Sequence, residues 1–270
     1  MTHPVPNLRF LSRQRTILGV PVTCFTWPEA FSVLRVLAEL PAGQTVVGFM
    51  NANNCNLAQK NDRYREAIKK QIILPDGLGI DVASFVQTGS FFPANLNGTD
   101  LVPAWLTYME EPKRIGLIGA KPEVLRAAAQ MFRLHTPWHN FIEIADGYTQ
   151  DTKTGEVLQS VAALNLDILI IAMGSPLQEI WIDTHVKPEH ARLVLSVGAL
   201  FDFMSGNVPR APRWIRIIRQ EWLFRLYLEP KRLWKRYLIG NPVFLSRVVL
   251  SLIRKLARRI SVFRLGQTVN

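Results

Sequence analysis

Six short apolar runs, each closing on Asn, Asp or Gly, constrain this chain more than any other feature. They are "TVVGFMNA" (45–52), "QIILPDG" (71–77), "RIGLIGA" (114–120), "FIEIAD" (141–146), "DILIIAMG" (167–174) and "LVLSVGAL" (193–200). Between them lie helix-like stretches such as "NCNLAQKNDRYREAIKK", "PEVLRAAAQMF" and "PLQEIWIDTHV". A strand that is apolar without alternation is covered on both faces, and strands separated by helices pair in parallel. The pattern predicts an α/β fold, a Rossmann-like and mostly parallel sheet with helices on both faces, over residues 1–206. Such sheets bind ligands at the carboxyl ends of their strands. Reading off those ends gives Asn51, Asn53, Asp76, Gly77, Gly119, Asp146, Gly147, Gly174, Ser175 and Gly198. The expected site is a polar crevice along that rim.

Individual positions admit two readings. Asp76–Gly77 is either a strand-ending turn or a general base beside glycines that let a substrate approach the backbone. In "MGSPLQE" (173–179) Ser175 is expected as a helix N-cap, Pro176 as the first helical residue and Gln178 as the capping-box partner. The same helix start would offer N–H groups and a positive end to a diphosphate. "LIGAKPE" reads likewise, its helix beginning near Pro122. In "NLNGTD" (95–100) Thr99 or Asp100 is the expected cap of the next helix, or a ligand contact. His135 and His139 flank Pro137, which spoils a paired metal site on one helix. No Asp-x-Asp is present to hold a metal-bound nucleotide. No cofactor is expected.

The charge is segregated. Net charge is +11, yet the residues from Arg210 onward carry 15 Lys/Arg against only Glu221 and Glu229. The body is close to neutral and the tail strongly basic. Residues 207–270 are therefore expected to form a basic helical appendage, with new helices at Pro230 and Pro242. From Val249 an apolar stripe runs through Leu252, Ile253, Leu256, Ile260 and Phe263. Arg247, Arg254, Lys255, Arg258 and Arg259 are expected on the other side. A helix of that kind lies against anionic lipid; its continuous apolar face fits lipid better than nucleic acid, and packing on the protein's own core is the competing structural reading. Two cysteines make no disulfide framework, and "MTHPVPNLRF" lacks a signal-peptide pattern. No apolar run reaches the roughly 18–20 residues that cross a bilayer. The expected location is the cytoplasmic face of the plasma membrane, peripherally bound.

Taken in order, "NANN", "LPDGLGI", "NGTDL", "GLIGAKPEV", "ADGY", "MGSPLQEIWI", "VGALFDFMSGNVPRAPRW" and "EWLFRLYLEPKRLWKRYL" span roughly residues 45–240. They resemble the bacterial glycosyltransferases named after the teichoic-acid N-acetylmannosamine transferase and the enterobacterial N-acetylmannosaminuronate transferase. The resemblance implies an inverting β-glycosyltransferase that needs no metal. It implies a UDP-sugar donor and an acceptor sugar on a polyprenyl diphosphate, in exopolysaccharide or other surface polysaccharide synthesis. It makes Asp76 the base and brings Arg225, Arg232 and Lys235 of the appendage to the site. Asn51, Asn53, Gly77, Thr99, Asp100, Gly119, Gly174 and Gln178 are the expected substrate-binding positions. Two departures stand out: Asn51 occupies a position where the family often has Thr, and Leu177 one where Lys is frequent. The tail "LIGNPVFLSRVVLSLIRKLARRI" is similar to the xanthan-type glucosyltransferases, which tilts the expected sugar toward glucose. The alternatives are a membrane-bound nucleotide-sugar sensor without turnover and a nucleotide-sugar hydrolase. Both a monomer and an oligomer are compatible with the sequence.

Overall fold

The structure, a computed structural model, describes residues 13–147 and 154–267, with side chains as far as Lys255 and at Ala257. All six expected strands form. They are β3 (Thr45–Met50), β4 (Ile72–Pro75), β5 (Arg114–Gly119), β6 (Asn140–Ala145), β7 (Leu166–Ala172) and β8 (Ala191–Ser196). They build one sheet in the order β4-β3-β8-β7-β5-β6, and every pairing is parallel. Side chains two apart share a face. In β7, Ile168 and Ile170 enter one apolar cluster, whereas Leu169 and Ile171 enter the cluster behind the sheet.

Helices cover both faces. On the first lie α1 (Trp27–Glu39), α5 (Gly98–Tyr108), α6 (Pro122–His135) and the short α9 (Leu200–Met204). On the second lie α2 (Ala52–Ala58), α3 (Asp62–Lys69), α4 (Leu78–Thr88), α7 (Thr154–Ala163) and α8 (Leu177–His185). Thr26 and Glu29 start α1 with a reciprocal capping box. As expected, α6 starts at Pro122. The N-terminal hairpin of β1 (Gln14–Ile17) and β2 (Val20–Thr23) was not foreseen. Its signal is the pair Leu18–Gly19, both at positive φ, joining runs whose Ile17, Val20 and Val22 are buried.

Two helix starts differ from the sequence reading. α5 is capped by Asn97, whose Oδ1 accepts from Asp100 N at 2.9 Å, so neither Thr99 nor Asp100 is the cap. Gly98 makes this start feasible, because a Cβ there would meet the Phe49 ring at 2.9 Å. α8 begins at Leu177 with Pro176 as N-cap; Ser175 lies one residue too early and turns its hydroxyl to Glu179 instead.

The C-terminal helices are α10 (Arg213–Ile217), α11 (Glu221–Leu228), α12 (Pro230–Trp234) and α13 (Gly240–Gln267). α12 starts at Pro230 as expected. Pro242 starts nothing new. A π-helical turn over Lys235–Ile239 joins α12 to α13, and Gly240 N reaches back to Lys235 O. The wider turn leads directly into the first turn of α13, where a proline is tolerated. The resulting helical path, Pro230–Lys255, is long and apolar enough by length and composition to cross a bilayer, contrary to the reading from apolar runs. It nevertheless packs on the body. Phe244 and Val248 are buried in one cluster with β1, β2 and α4. Arg247 is not on a solvated basic face: its guanidinium donates to Asn56 Oδ1 at 2.6 Å. The exposed apolar face instead carries Leu245, Val249, Leu250 and Ile253, with Leu252 half-buried. The expected Leu256, Ile260, Phe263, Arg258 and Arg259 contributions lie outside the described side chains.

Candidate active site

The register of β3 against β4 builds the centre of the site. Met50 pairs with Pro75, so the next residues, Asn51 and Asp76, leave the sheet side by side. Asn51 Nδ2 donates to Asp76 Oδ2 at 3.1 Å, while Asn51 Oδ1 caps α2 by accepting from Asn54 N. Asp76 N donates to Met50 O. Gly77 follows at φ +90, where a side chain would strain the backbone, and its N–H is held by Asn95 Oδ1 at 2.8 Å. The Asp76–Gly77 elbow is therefore fixed from three sides.

Two cavities meet at this elbow. The first, about 610 Å³, runs along the carboxyl ends of β3, β4, β5, β7 and β8. Its body side is formed by Thr99, Lys121, Gly174, Ser175, Gln178 and Gly198, and its appendage side by Arg225, Arg232 and Arg236. The second, about 550 Å³, lies between α4 and the appendage. Leu78, Val82, Trp222, Tyr237, Leu238, Phe244 and Leu245 make much of its wall apolar. Asn51, Asn53, Asp76, Thr99, Arg225 and Arg236 border both.

Charges within this space are unevenly matched. Asp100 is paired with Arg210 at 2.5 Å and faces Arg216 at 3.6 Å. Glu221 also faces Arg210, at 3.4 Å. Asp76 has no ion-pair partner among the described residues. Burial pushes its carboxyl above the ordinary value of 3.8; the Asn51 hydrogen bond and the fields of Arg236 and Arg225 oppose that rise. Arg236 is shifted down, first by burial and further by Arg225 and Arg232. Arg225 Nε and Arg236 Nε are buried with no acceptor among the described residues. Two guanidiniums held together in this way favour an anion between them. Arg225 also lies over the Phe203 ring, 5.2 Å from its centroid.

Several candidates converge and two do not. Asn51, Asn53, Asp76, Gly77, Thr99, Asp100, Gly174, Gln178, Arg225 and Arg232 all line one cavity or the other. Lys235 does not; its ammonium sits over Trp234, 5.6 Å from the ring centroid. Arg236 takes the place expected for Lys235, and its spacing of four from Arg232 was the available signal. Gly119 lies behind the wall at φ +126, where a Cβ would come within 2.4 Å of Ala172 O. It serves a close backbone approach rather than a ligand contact. The N–H of Gly174 is not free for an anion either, because Gln178 Oε1 accepts it at 2.9 Å. His135 and His139 do not converge: His135 bonds its own helix at Met131 O, and His139 lies between Lys113 N and Leu106 O.

Comparison with known proteins decides the family. The profile of the glycosyl transferase WecG/TagA/CpsF family matches residues 15–258. The chain belongs to that family. A curated relative from Bacillus subtilis (strain 168) is 32% identical over 195 residues, covering 72% of this chain and 75% of the relative. It is named N-acetylglucosaminyldiphosphoundecaprenol N-acetyl-beta-D-mannosaminyltransferase. A relative of the same name from Bacillus spizizenii is 31% identical over 196 residues, covering 71% and 74%. This enzyme is a glycosyltransferase, and the matched region includes the Asp76 elbow and the appendage arginines.

Proposed function

We propose that the enzyme transfers a sugar, with inversion, from a UDP-sugar to a hydroxyl of a saccharide carried on a polyprenyl diphosphate. The observation that carries this reading is the placement of Asp76, a half-buried carboxylate with no ion-pair partner among the described residues, where an arginine-lined lobe joins an apolar one. The arginine-lined lobe takes the nucleotide diphosphate of the donor. The apolar lobe takes the acceptor, with Leu238 and Leu245 exposed at the appendage surface. The acceptor oxygen forms a bond to the anomeric carbon while the bond from that carbon to the diphosphate oxygen breaks. Asp76 receives the acceptor proton, and the bonding pair leaves on the β-phosphate. Arg225, Arg232 and Arg236 face the negative charge that develops there.

The names of the two relatives support an N-acetylmannosamine donor and an N-acetylglucosamine-diphosphate-polyprenol acceptor as the first pair to try. Glucose, favoured by the tail sequence, is the second donor. We read residues 207–270 as an appendage that completes the site and rests on the cytoplasmic leaflet. Trp214, Ile217, Ile218 and Tyr227 are exposed there beside the arginines. The helical path Pro230–Lys255 lies along the membrane in this reading, because Leu233, Tyr237, Phe244 and Val248 are committed to the protein interior.

The test is UDP release from a panel of UDP-sugars, with and without a polyprenyl-diphosphate-linked acceptor. Acceptor-dependent release supports transfer, and the best donor identifies the sugar. Release without any acceptor indicates hydrolysis. Binding of UDP-sugars with no release under either condition is the sensor outcome, and sinks the transfer reading.

A further inference from the structure

A carboxyl that the proposed chemistry leaves unused lies behind the arginine-lined lobe. Glu179, in the first turn of α8, is 3% exposed. Its Oε1 accepts from Ser175 Oγ at 2.5 Å, Gln178 Nε2 at 3.0 Å and Ser196 Oγ at 3.3 Å. Its Oε2 is buried with no partner among the described residues, and no cation pairs with it there. The titratable groups around this corner are Tyr64 of α3, bonded to Ser175, and Cys55 of α2; burial keeps both neutral.

The arrangement has a consequence for the lobe itself. Gln178 Oε1 accepts the N–H of Gly174 at 2.9 Å and of Gly198 at 3.2 Å, tying the loop after β7 to the loop after β8. Its amide orientation is thereby fixed, so Nε2 must find acceptors on the inner side. They are Ser196 Oγ at 2.7 Å and Glu179 Oε1. Ser175, pinned by the same oxygen, also lines the lobe. A carboxylate here would bury an unpartnered charged oxygen, whereas a neutral acid leaves only one hydroxyl unpaired.

We propose that Glu179 is a positioning residue held as the neutral acid, which fixes Gln178 and Ser175 and through them the floor of the diphosphate lobe. This rests on the reading of that lobe as the donor site. Burial acts in the same direction: it raises the Glu179 carboxyl against the hydrogen bonds from Ser175, Gln178 and Ser196.

The test combines a spectrum with two variants. The infrared difference between wild type and E179Q at neutral pH is expected to show a protonated-carboxyl carbonyl band that E179Q loses. UDP binding by calorimetry is expected to be within about 3-fold of wild type in E179Q, because glutamine reproduces the neutral acid. E179A is expected to weaken UDP about 10-fold or more, the size for buried polar groups left unpaired. Its kcat at saturating donor is expected to change less than its donor KM. Absence of the band overturns the proposal, as does equal damage from E179Q and E179A, or unchanged UDP affinity in E179A. If E179A does not fold, the band and the E179Q affinity decide. Should UDP fail to bind wild type, the donor reading falls while the band still reports the protonation state.

Discussion

In the proposed mechanism Asp76 does two things that conflict, and the conflict is measurable. A base works best when it is desolvated and without a fixed cation, which also makes its ionised form costly to the fold. Its folded-state value is raised, so ionised Asp76 opposes folding. The stability it contributes when protonated is lost as pH rises through that raised value. D76N is therefore expected to lose roughly 10²–10⁴-fold in kcat/KM while keeping its fold. Its Tm at neutral pH should equal or exceed that of wild type, and the gap should narrow as pH falls through the Asp76 titration; a clearly lower Tm for D76N at neutral pH would contradict this. Asn51 tunes the same group by donating to its ionised form. Asn51→Ser keeps a competent cap for α2 but is too short to reach Asp76. The acid limb of kcat/KM should then move to higher pH, because the bond that lowers the Asp76 value is gone.

Elements fail differently from site residues. Gly119 ends β5 with Ala172 backbone pressed against it, so Gly119→Ala must displace the end of β7. The expected outcome is a loss of stability and expression rather than a selective rise in donor KM. Urea unfolding and donor kinetics on the same variant separate the two. In the first turn of α4, beside the apolar lobe, Asp81 is 2% exposed and ion-paired with Arg219, which stands at φ +58 between α10 and α11. Removing one partner of such a pair leaves the other uncompensated. Arg219→Ala should loosen α10 and α11 from α4, seen as faster hydrogen exchange over residues 213–229, with a weaker acceptor response because Arg219 lines the apolar lobe.

At the scale of the whole molecule, the question is what the exposed apolar face of the appendage touches. Val249, Leu250 and Ile253 are exposed on α13, whose opposite side buries Phe244 and Val248. Replacing those three by Ser should reduce binding to vesicles rich in anionic lipid while leaving Tm within a few degrees of wild type. Phe244→Ala is the control: it should destabilise by about 3–5 kcal/mol, as for a fully buried aromatic. Unchanged vesicle binding in the triple variant would remove the membrane role of this face. Cutting the chain near residue 240 would be a poorer test, because it also strips Phe244 and Val248 from the core.

The sequence by itself determined the six strands, the coverage of both sheet faces, a polar cavity along the strand ends and the concentration of charge in the tail. These follow from local apolar pattern and composition, which act within a few residues of the chain. Helix starts were less legible: Asn97 rather than Thr99 caps α5, because Gly98 fits beneath Phe49, a contact made across the fold. Only the tertiary structure chose Arg236 over Lys235, put Gly119 behind the wall and paired Asp100 with Arg210. It also left Asp76 without a counter-ion and Glu179 without a cation among the described residues. Which charges meet depends on packing between elements far apart in the chain, and residue type alone carries no record of that distance.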